Sequence, residues 1–189
     1  MAETIANTEH LLVRTIDDND YATVCSLFKE GEIISKYLND PEFLDMLLKN
    51  SWKEITGQNI FNGLIFLAES SDFCGRVCIQ NIDDPIPELG IDVLKKYQNK
   101  GYGPEAITAF ANWYGKKFGI DRLKVRIWKS NSHSAHVFEK LGARYEGQHP
   151  YFSKAVLQAI QEKLPEFNPS ELEADGPLTY YLDLPITTA

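Results

Sequence analysis

Short runs of hydrophobic residues recur along this chain, and several of them have the spacing of β-strands. In residues 123–128 apolar and polar side chains alternate one by one. This is typical of a half-buried strand, whose successive side chains point to opposite faces. Comparable runs predict seven strands in all, at residues 11–16, 64–69, 73–83, 88–94, 123–128, 144–148 and 178–184.

Between these runs, hydrophobic residues follow the three- to four-residue spacing of helices with one buried face. The clearest helix is predicted to begin at Pro104 and to end before Gly119, which suits a left-handed terminal position. Asp40-Pro41-Glu42 predicts another helix start, with proline at the first helical position. Further helices are predicted after Asp17 or Asp18 and at residues 131–141 and 153–164. This order predicts an α/β domain with one central sheet of about seven strands flanked by helices.

Length and composition narrow the class of protein. A chain of 189 residues with 43% hydrophobic residues suits one folded domain over residues 1–189. Its three cysteines show no paired spacing, which argues against disulfides or zinc and favours the cytoplasm. We find no signal-peptide pattern and no run near the roughly 20 apolar residues that a membrane span needs. A net charge of −8 argues against nucleic acid as a partner.

The charges are unevenly distributed along the chain. Residues 95–129 are rich in lysine and arginine, whereas residues 162–175 are rich in glutamate. One interpretation is that a basic region binds an anionic cofactor while an acidic region attracts a cationic acceptor. The other is an ordinary solvated surface, and charge alone leaves both open.

The most informative local feature is a glycine-rich loop between a predicted strand and a predicted helix. Gly101 and Gly103 permit a tight turn and close backbone approach, and Lys100 adds a positive charge beside them. Because a helix N-terminus offers unpaired N–H groups and a partial positive charge, the loop suits a phosphate. A plain turn is the alternative. The P-loop and dinucleotide fingerprints are both incomplete here.

Two motifs in the expected order resemble those of the GNAT acetyltransferases. Residues 88–93 and the loop Gln98-Asn99-Lys100-Gly101-Tyr102-Gly103 resemble motif A, and residues 131–143 resemble motif B. Weaker similarity extends from Leu11 to Gln148. The Glu-Leu-Gly and Asn-x-x-Ser patterns look like the branch that contains the ribosomal-protein acetyltransferases RimJ and RimL. The resemblance implies the GNAT fold, a mixed sheet flanked by helices.

The resemblance also implies how acetyl-CoA binds. Backbone around Val93 and Leu94 is expected to pair with the pantetheine arm, and Asn131 is expected to contact it. The residues expected to bind the pyrophosphate through their backbone amides are Gln98, Asn99, Lys100, Gly101, Tyr102 and Gly103.

The expected activity is transfer of an acetyl group directly to a primary amine, either a peptide N-terminus or a small molecule. Glu88 is the expected base, directly or through water, and its alternative is an exposed carboxylate on a strand. Ser134 is expected to donate a hydrogen bond to the leaving thiolate, or else to be a surface hydroxyl. A backbone N–H near Val93 would stabilise the oxyanion. Asn131 is expected to cap its helix as well.

Two departures from the family pattern support an alternative function. Phe138 stands where many members have a tyrosine acid, and Pro104 removes one N–H from the phosphate loop. Both would also suit a non-catalytic acyl-CoA sensor. Expected partners are acetyl-CoA and an amine, with no metal, and the chain is expected to be a monomer or a homodimer. Trp52, Tyr151 and Phe152 are expected walls of the acceptor groove.

Overall fold

The structure is a computed structural model and describes residues 2–30, 39–148, 162 and 176–187. Its strands are β1 Thr4–Asn7, β2 Leu11–Thr15, β3 Ile60–Leu67, β4 Phe73–Gln80, β5 Glu88–Val93, β6 Arg122–Trp128, β7 Arg144–Gln148 and β8 Pro177–Asp183. Its helices with described bounds are α1 Tyr21–Lys29, α2 Pro41–Ile55, α3 Tyr102–Phe118 and α4 Ser132–Lys140. Two 3-10 turns, Asp18–Asp20 and Lys95–Tyr97, precede α1 and the glycine loop. The predicted α/β class is confirmed.

All eight strands belong to one mixed sheet, in the order β1-β2-β3-β4-β5-β6-β8-β7. Neighbours are antiparallel except β5 and β6, which are parallel. That parallel pairing joins Glu88 to Lys124, and the Lys124 N–H donates to the Pro87 carbonyl at 2.8 Å. Within the described chain, β5 and β6 share no further pair of residues with each other. The two strands therefore diverge beyond this point and leave a wedge-shaped opening.

The prediction of seven strands was one too few, because it missed β1. Thr4–Asn7 is short, and only Ile5 is buried in it, so it shows no alternating pattern. The strand forms because β2 offers it an open edge, and its register shifts between Thr4 and Ala6. Such an edge is a property of the folded sheet.

Helices cover both faces of the sheet. The neighbours Leu64 and Ile65 in β3 point to opposite faces and belong to two different hydrophobic clusters. Ile65 lies in the large cluster with Phe110 of α3, which is fully buried. Leu64 packs with Val24 of α1 and Ile55 of α2 on the other face.

The start of α2 and the end of α3 lie where the sequence predicts them, whereas the start of α3 differs from its predicted position. The Asp40 side chain accepts from the Phe43 N–H at 3.1 Å, and α2 begins at Pro41. Gly119 ends α3 in the left-handed conformation, with φ of 70°. However, α3 begins at Tyr102, two residues before the predicted start at Pro104.

Part of the prediction lies outside the described residues. This holds for the helix at 153–164, apart from the single helical residue Glu162, and for most of the loop that follows. In the described part of the chain, no helix is both long and apolar enough to cross a membrane.

Candidate active site

A cavity of about 580 Å³ lies between the end of β5 and the helices α3 and α4. Its walls come from the end of β5, the glycine loop, the first turn of α3 and one side of α4. The predicted site residues that line it are Val93, Gln98, Asn99, Gly101, Gly103, Asn131 and Ser134. The structure therefore brings together residues that are far apart in the sequence.

The glycine loop presents backbone N–H groups to this cavity. Gly101 precedes α3 with φ of 86°, a conformation that favours glycine, and no side chain caps the helix. A Cβ added at Gly101 or Gly103 would meet nothing within 4 Å, so the backbone is open to a ligand. The first N–H groups of a helix have no partner within it and lie at its positive end. These features fit a pyrophosphate.

Lysine side chains next to the loop lie against an aromatic ring. Lys96 Nζ lies 4.6 Å and Lys100 Nζ 5.5 Å from the centre of the Tyr97 ring. Lys100 and Tyr102 border the loop without lining the described cavity wall. The positive charges of Lys96 and Lys100 add to the positive end of the helix dipole beside the loop.

Pro104 costs the helix no hydrogen bond. It is the third residue of α3, and the N–H groups of the first turn have no acceptor in the helix. The next amide, that of Glu105, donates to the Gly101 carbonyl at 3.3 Å. The missing donor therefore affects only the phosphate loop.

At the end of β5, the backbone groups of Val93 face the cavity, whereas those of Leu94 face away from it. The Leu94 N–H donates to the Cys74 carbonyl at 2.9 Å, and the Leu94 carbonyl accepts from Tyr97 at 2.8 Å. Because backbone groups alternate along a strand, those of Val93 face away from β4, and Gln98 Nε2 donates to the Val93 carbonyl at 2.8 Å. Leu94 is 5% exposed, and its N–H and carbonyl are both engaged within the protein, so neither group is free to pair with the pantetheine arm.

Helix α4 places two of the predicted residues at the opposite wall. The Asn131 side chain accepts from the Ser134 N–H at 3.1 Å, which confirms the predicted cap. The cap fixes the first turn of α4, so Ser134 is half-buried at the cavity. Phe138 follows one turn later and is 2% exposed.

Glu88 lies on the other face of the sheet. It is 8% exposed, so the alternative of an exposed carboxylate is wrong. Arg126 of β6 donates through Nε to Glu88 Oε2 at 2.7 Å, and Nη2 lies at the same distance. Among the described residues, Glu88 Oε1 has no hydrogen-bond partner. Sequence analysis missed Arg126 because the pair forms across two strands whose register a local pattern does not encode.

The remaining predicted residues contribute little to this site. Trp52 packs edge-on against Tyr21, with ring centres 5.5 Å apart, and Tyr151 and Phe152 lie outside the described residues. A search of the described residues finds no group of histidine, cysteine or carboxylate side chains suited to a metal ion.

Comparisons with known proteins identify the family. A model of the acetyltransferase (GNAT) domain matches residues 10–144. The uncharacterized N-acetyltransferase YnaD of Bacillus subtilis is 25% identical over 150 residues, which cover 79% of this chain and 86% of the relative.

Solved structures share the fold at low sequence identity. RimL, a ribosomal alpha-N-protein acetyltransferase in complex with coenzyme A, has a TM-score of 0.69 and 14% identity over 98% of this chain and 100% of its own. A variant of the spermidine N-acetyltransferase SpeG from Vibrio cholerae has a TM-score of 0.64 and 15% identity, covering 90% and 94%. An acetyltransferase from Agrobacterium tumefaciens has a TM-score of 0.62 and 18% identity, covering 93% and 92%. The match to the domain model shows that the chain belongs to the GNAT family and is an acyl-CoA-dependent N-acyltransferase that uses acetyl-CoA.

Proposed function

We propose that this protein transfers an acetyl group from acetyl-CoA directly to a primary amine, with both substrates bound at once. The observation that carries the proposal is the cavity between β5 and the helices α3 and α4, which joins the glycine loop to Asn131 and Ser134. A ligand that extends from the loop to α4 would pass Val93. The acceptor is a peptide N-terminus or a small molecule.

The donor site would act mainly through backbone groups. The amides of the loop from Gln98 to Gly103 would bind the pyrophosphate, and Asn131 would contact the pantetheine arm. The carbonyl and N–H of Val93 would pair with pantetheine amides, which requires the Gln98 side chain to release the Val93 carbonyl that it now contacts. Binding would thus extend β5 on its open side.

The transfer needs three functions from the protein. The amine must lose a proton before it attacks the thioester carbonyl carbon, and Glu88 would accept that proton directly or through water. As the amine nitrogen bonds to this carbon, an N–H of β5 near Val93 would stabilise the oxyanion that forms, and the oxyanion collapses as the carbon–sulfur bond breaks. The Ser134 hydroxyl would donate to the departing sulfur, because Phe138 has no proton to give.

The structural positions of Phe138 and Pro104 do not favour a non-catalytic sensor. Phe138 is a buried wall of the cavity, and Pro104 costs α3 no internal hydrogen bond. Both residues therefore have ordinary packing or backbone roles. A sensor would bind acetyl-CoA and release no coenzyme A with any amine.

Calorimetry with acetyl-CoA tests the donor site, using Gly103→Glu and its uncharged match Gly103→Gln. Position 103 is helical and open, so both side chains fit without strain. We expect micromolar binding for the native chain, at most a few-fold loss with Gln, and loss of about 100-fold or more with Glu, because a carboxylate repels the pyrophosphate. Equal binding by Glu and Gln variants would place the pyrophosphate elsewhere.

We further infer that residues 1–189 form a single domain, since strands from both ends of the chain, β1 and β8, belong to one sheet. A cytoplasmic location stays a prediction, supported by three free cysteines. Monomer and homodimer remain the two expected assemblies.

A further inference from the structure

A second pocket of about 460 Å³ lies on the face of the sheet opposite the large hydrophobic cluster. Its walls come from the end of α1, the end of α2 and the strands β3 and β4. The volume is that of a small-molecule site. The side chains that give it chemical character are Lys53, Glu54, Asn59, Arg76, Gln80 and Asn81.

This pocket shares its sheet face with Glu88. Arg76 pairs directly with Asp92 across β4 and β5, and Gln80 pairs directly with Glu88. Directly paired residues project on the same face, and neighbouring strands lie about 4.8 Å apart. The pocket therefore adjoins Glu88, the proposed acceptor of the proton that the amine loses.

Gly90 lies between these pairs on the same face of the sheet. A Cβ at this position would come within 3.2 Å of Cys78 Sγ and 3.7 Å of Gln80 Nε2, so these two side chains border the glycine and β5 adds none of its own there. A larger residue would narrow the surface between Asp92 and Glu88.

Arg76 is the unusual residue of the pocket, because it is a guanidinium only 9% exposed. Its Nε and Nη2 donate to Asp92 Oδ2 at 3.2 and 2.6 Å, and Nη1 contacts Asn62 Oδ1 at 3.4 Å. A guanidinium has five N–H donors. Asp92 uses the Nε side, so among the described residues one N–H on each terminal nitrogen has no partner.

A guanidinium with an unpaired N–H on each terminal nitrogen can donate to the oxygens of a carboxylate. Lys53 gives the pocket a second cation, Glu54 is the acid in its lining, and Asp92 pairs with Arg76. Among the described side chains, cations and acids are thus equal in number, and the pocket has no excess of negative charge to attract a polyamine. It suits a ligand that presents an anionic oxygen to Arg76 and an amine to Glu88.

We propose that this pocket is the acceptor site and that it selects an amine carrying a carboxylate, such as a free amino acid. Arg76 is the specificity-determining residue and binds the carboxylate. Lys53 attracts the anion at the pocket mouth. The inference rests on the proposed acetyl transfer and adds the acceptor's class to it.

The test measures coenzyme A release from saturating acetyl-CoA with the standard amino acids. The best substrate is then compared with its amide, its decarboxylated amine, a peptide that begins with the same residue, and spermidine. We expect kcat/KM for the amino acid to exceed that of each other amine by about 10- to 100-fold, the effect of one charge-assisted contact. A peptide or spermidine that performs equally well or better overturns the inference and leaves the transferase intact.

Variants assign the preference to the pocket. Arg76→Lys and the exposed Lys53→Gln should raise KM for the amino acid and leave KM for its decarboxylated amine unchanged. Arg14→Lys is the matched control, because Arg14 makes a similar two-nitrogen ion pair with Asp20 outside the pocket lining. If Arg76→Lys fails to fold, Lys53→Gln alone decides. An unchanged amino-acid preference in the folded variants contradicts the proposal.

Binding separates failure of the inference from failure of the proposed function. If no amine releases coenzyme A, the transferase proposal fails, and thermal shift still compares an amino acid with its decarboxylated amine. Stabilisation by the amino acid that Lys53→Gln weakens supports the pocket assignment. Equal shifts, or no shift, with both compounds overturn it.

Discussion

At the scale of single residues, Thr179 has a buried hydroxyl group that lacks a hydrogen bond within the described part of the chain. It is 2% exposed, and its Oγ1 has no partner among the described residues. An unsatisfied buried hydroxyl costs about 1–3 kcal/mol. Thr179→Val should therefore raise the free energy of unfolding by about 1 kcal/mol, measured by urea denaturation.

The control for this change is Thr56→Val. The Thr56 hydroxyl donates to the Trp52 carbonyl at 2.8 Å, so removing it should destabilise the protein slightly. If Thr179→Val destabilises as well, the Thr179 hydroxyl has a partner in solution. The comparison separates the loss of a bond from the removal of an unpaired group.

At the scale of elements, Glu105 joins the β1–β2 hairpin to the first turn of α3. Its Oε1 accepts from Thr8 Oγ1 at 2.5 Å and from the His10 N–H at 3.0 Å, and its Oε2 lies 3.0 Å from His10 Nδ1. Burial alone would raise the pKa of this carboxyl, but the bonds from Thr8 and His10 outweigh it, and its pKa is lowered from 4.5. The ionised form therefore stabilises the hairpin contact beside the glycine loop.

A carboxyl with a lowered pKa contributes stability above its unfolded pKa and loses it as the pH falls through the folded value. Glu105→Gln should thus lower the free energy of unfolding at pH 7, by about 1 kcal/mol for a partly exposed group. The difference should shrink as the pH falls through the native pKa of Glu105, because the carboxyl is then protonated in the native state as well. Glu9→Gln, at a neighbouring exposed glutamate, should have no such effect in the same urea titrations.

At the scale of the whole molecule, the sheet separates the donor groups from the base. Ser134 lines the cavity between β5 and the helices α3 and α4, whereas Glu88 points to the opposite face beside the second pocket. If the amine and the thioester meet across the opening, each side should contribute independently. Glu88→Gln and Ser134→Ala should each lower kcat by about tenfold or more, within the range of general acid–base effects.

These two variants should leave the dissociation constant of acetyl-CoA within about threefold, because neither side chain belongs to the pyrophosphate loop. A decrease in kcat under tenfold for both variants would remove them from the mechanism. Arg126 should matter through Glu88, since it contacts one carboxylate oxygen of that residue.

Much of the fold followed from the sequence because the signals are local. The spacing of α3, the cap at Asp40 and the left-handed Gly119 each depend on residues within one or two turns. The glycine loop was recognisable for the same reason. The start of α3 at Tyr102 differed from prediction because Pro104 fits anywhere in the first turn, where N–H groups have no helical acceptor.

The sequence by itself thus determined the helices, most strands and the residues that form the loop and the first turn of α4. Only the tertiary structure decided which of them share a site. The divergence of β5 from β6, the position of β8 between β6 and β7, the engaged amide of Leu94 and the pair of Glu88 with Arg126 all depend on strand order and register. Register is set by contacts between distant segments, and no local period encodes those contacts.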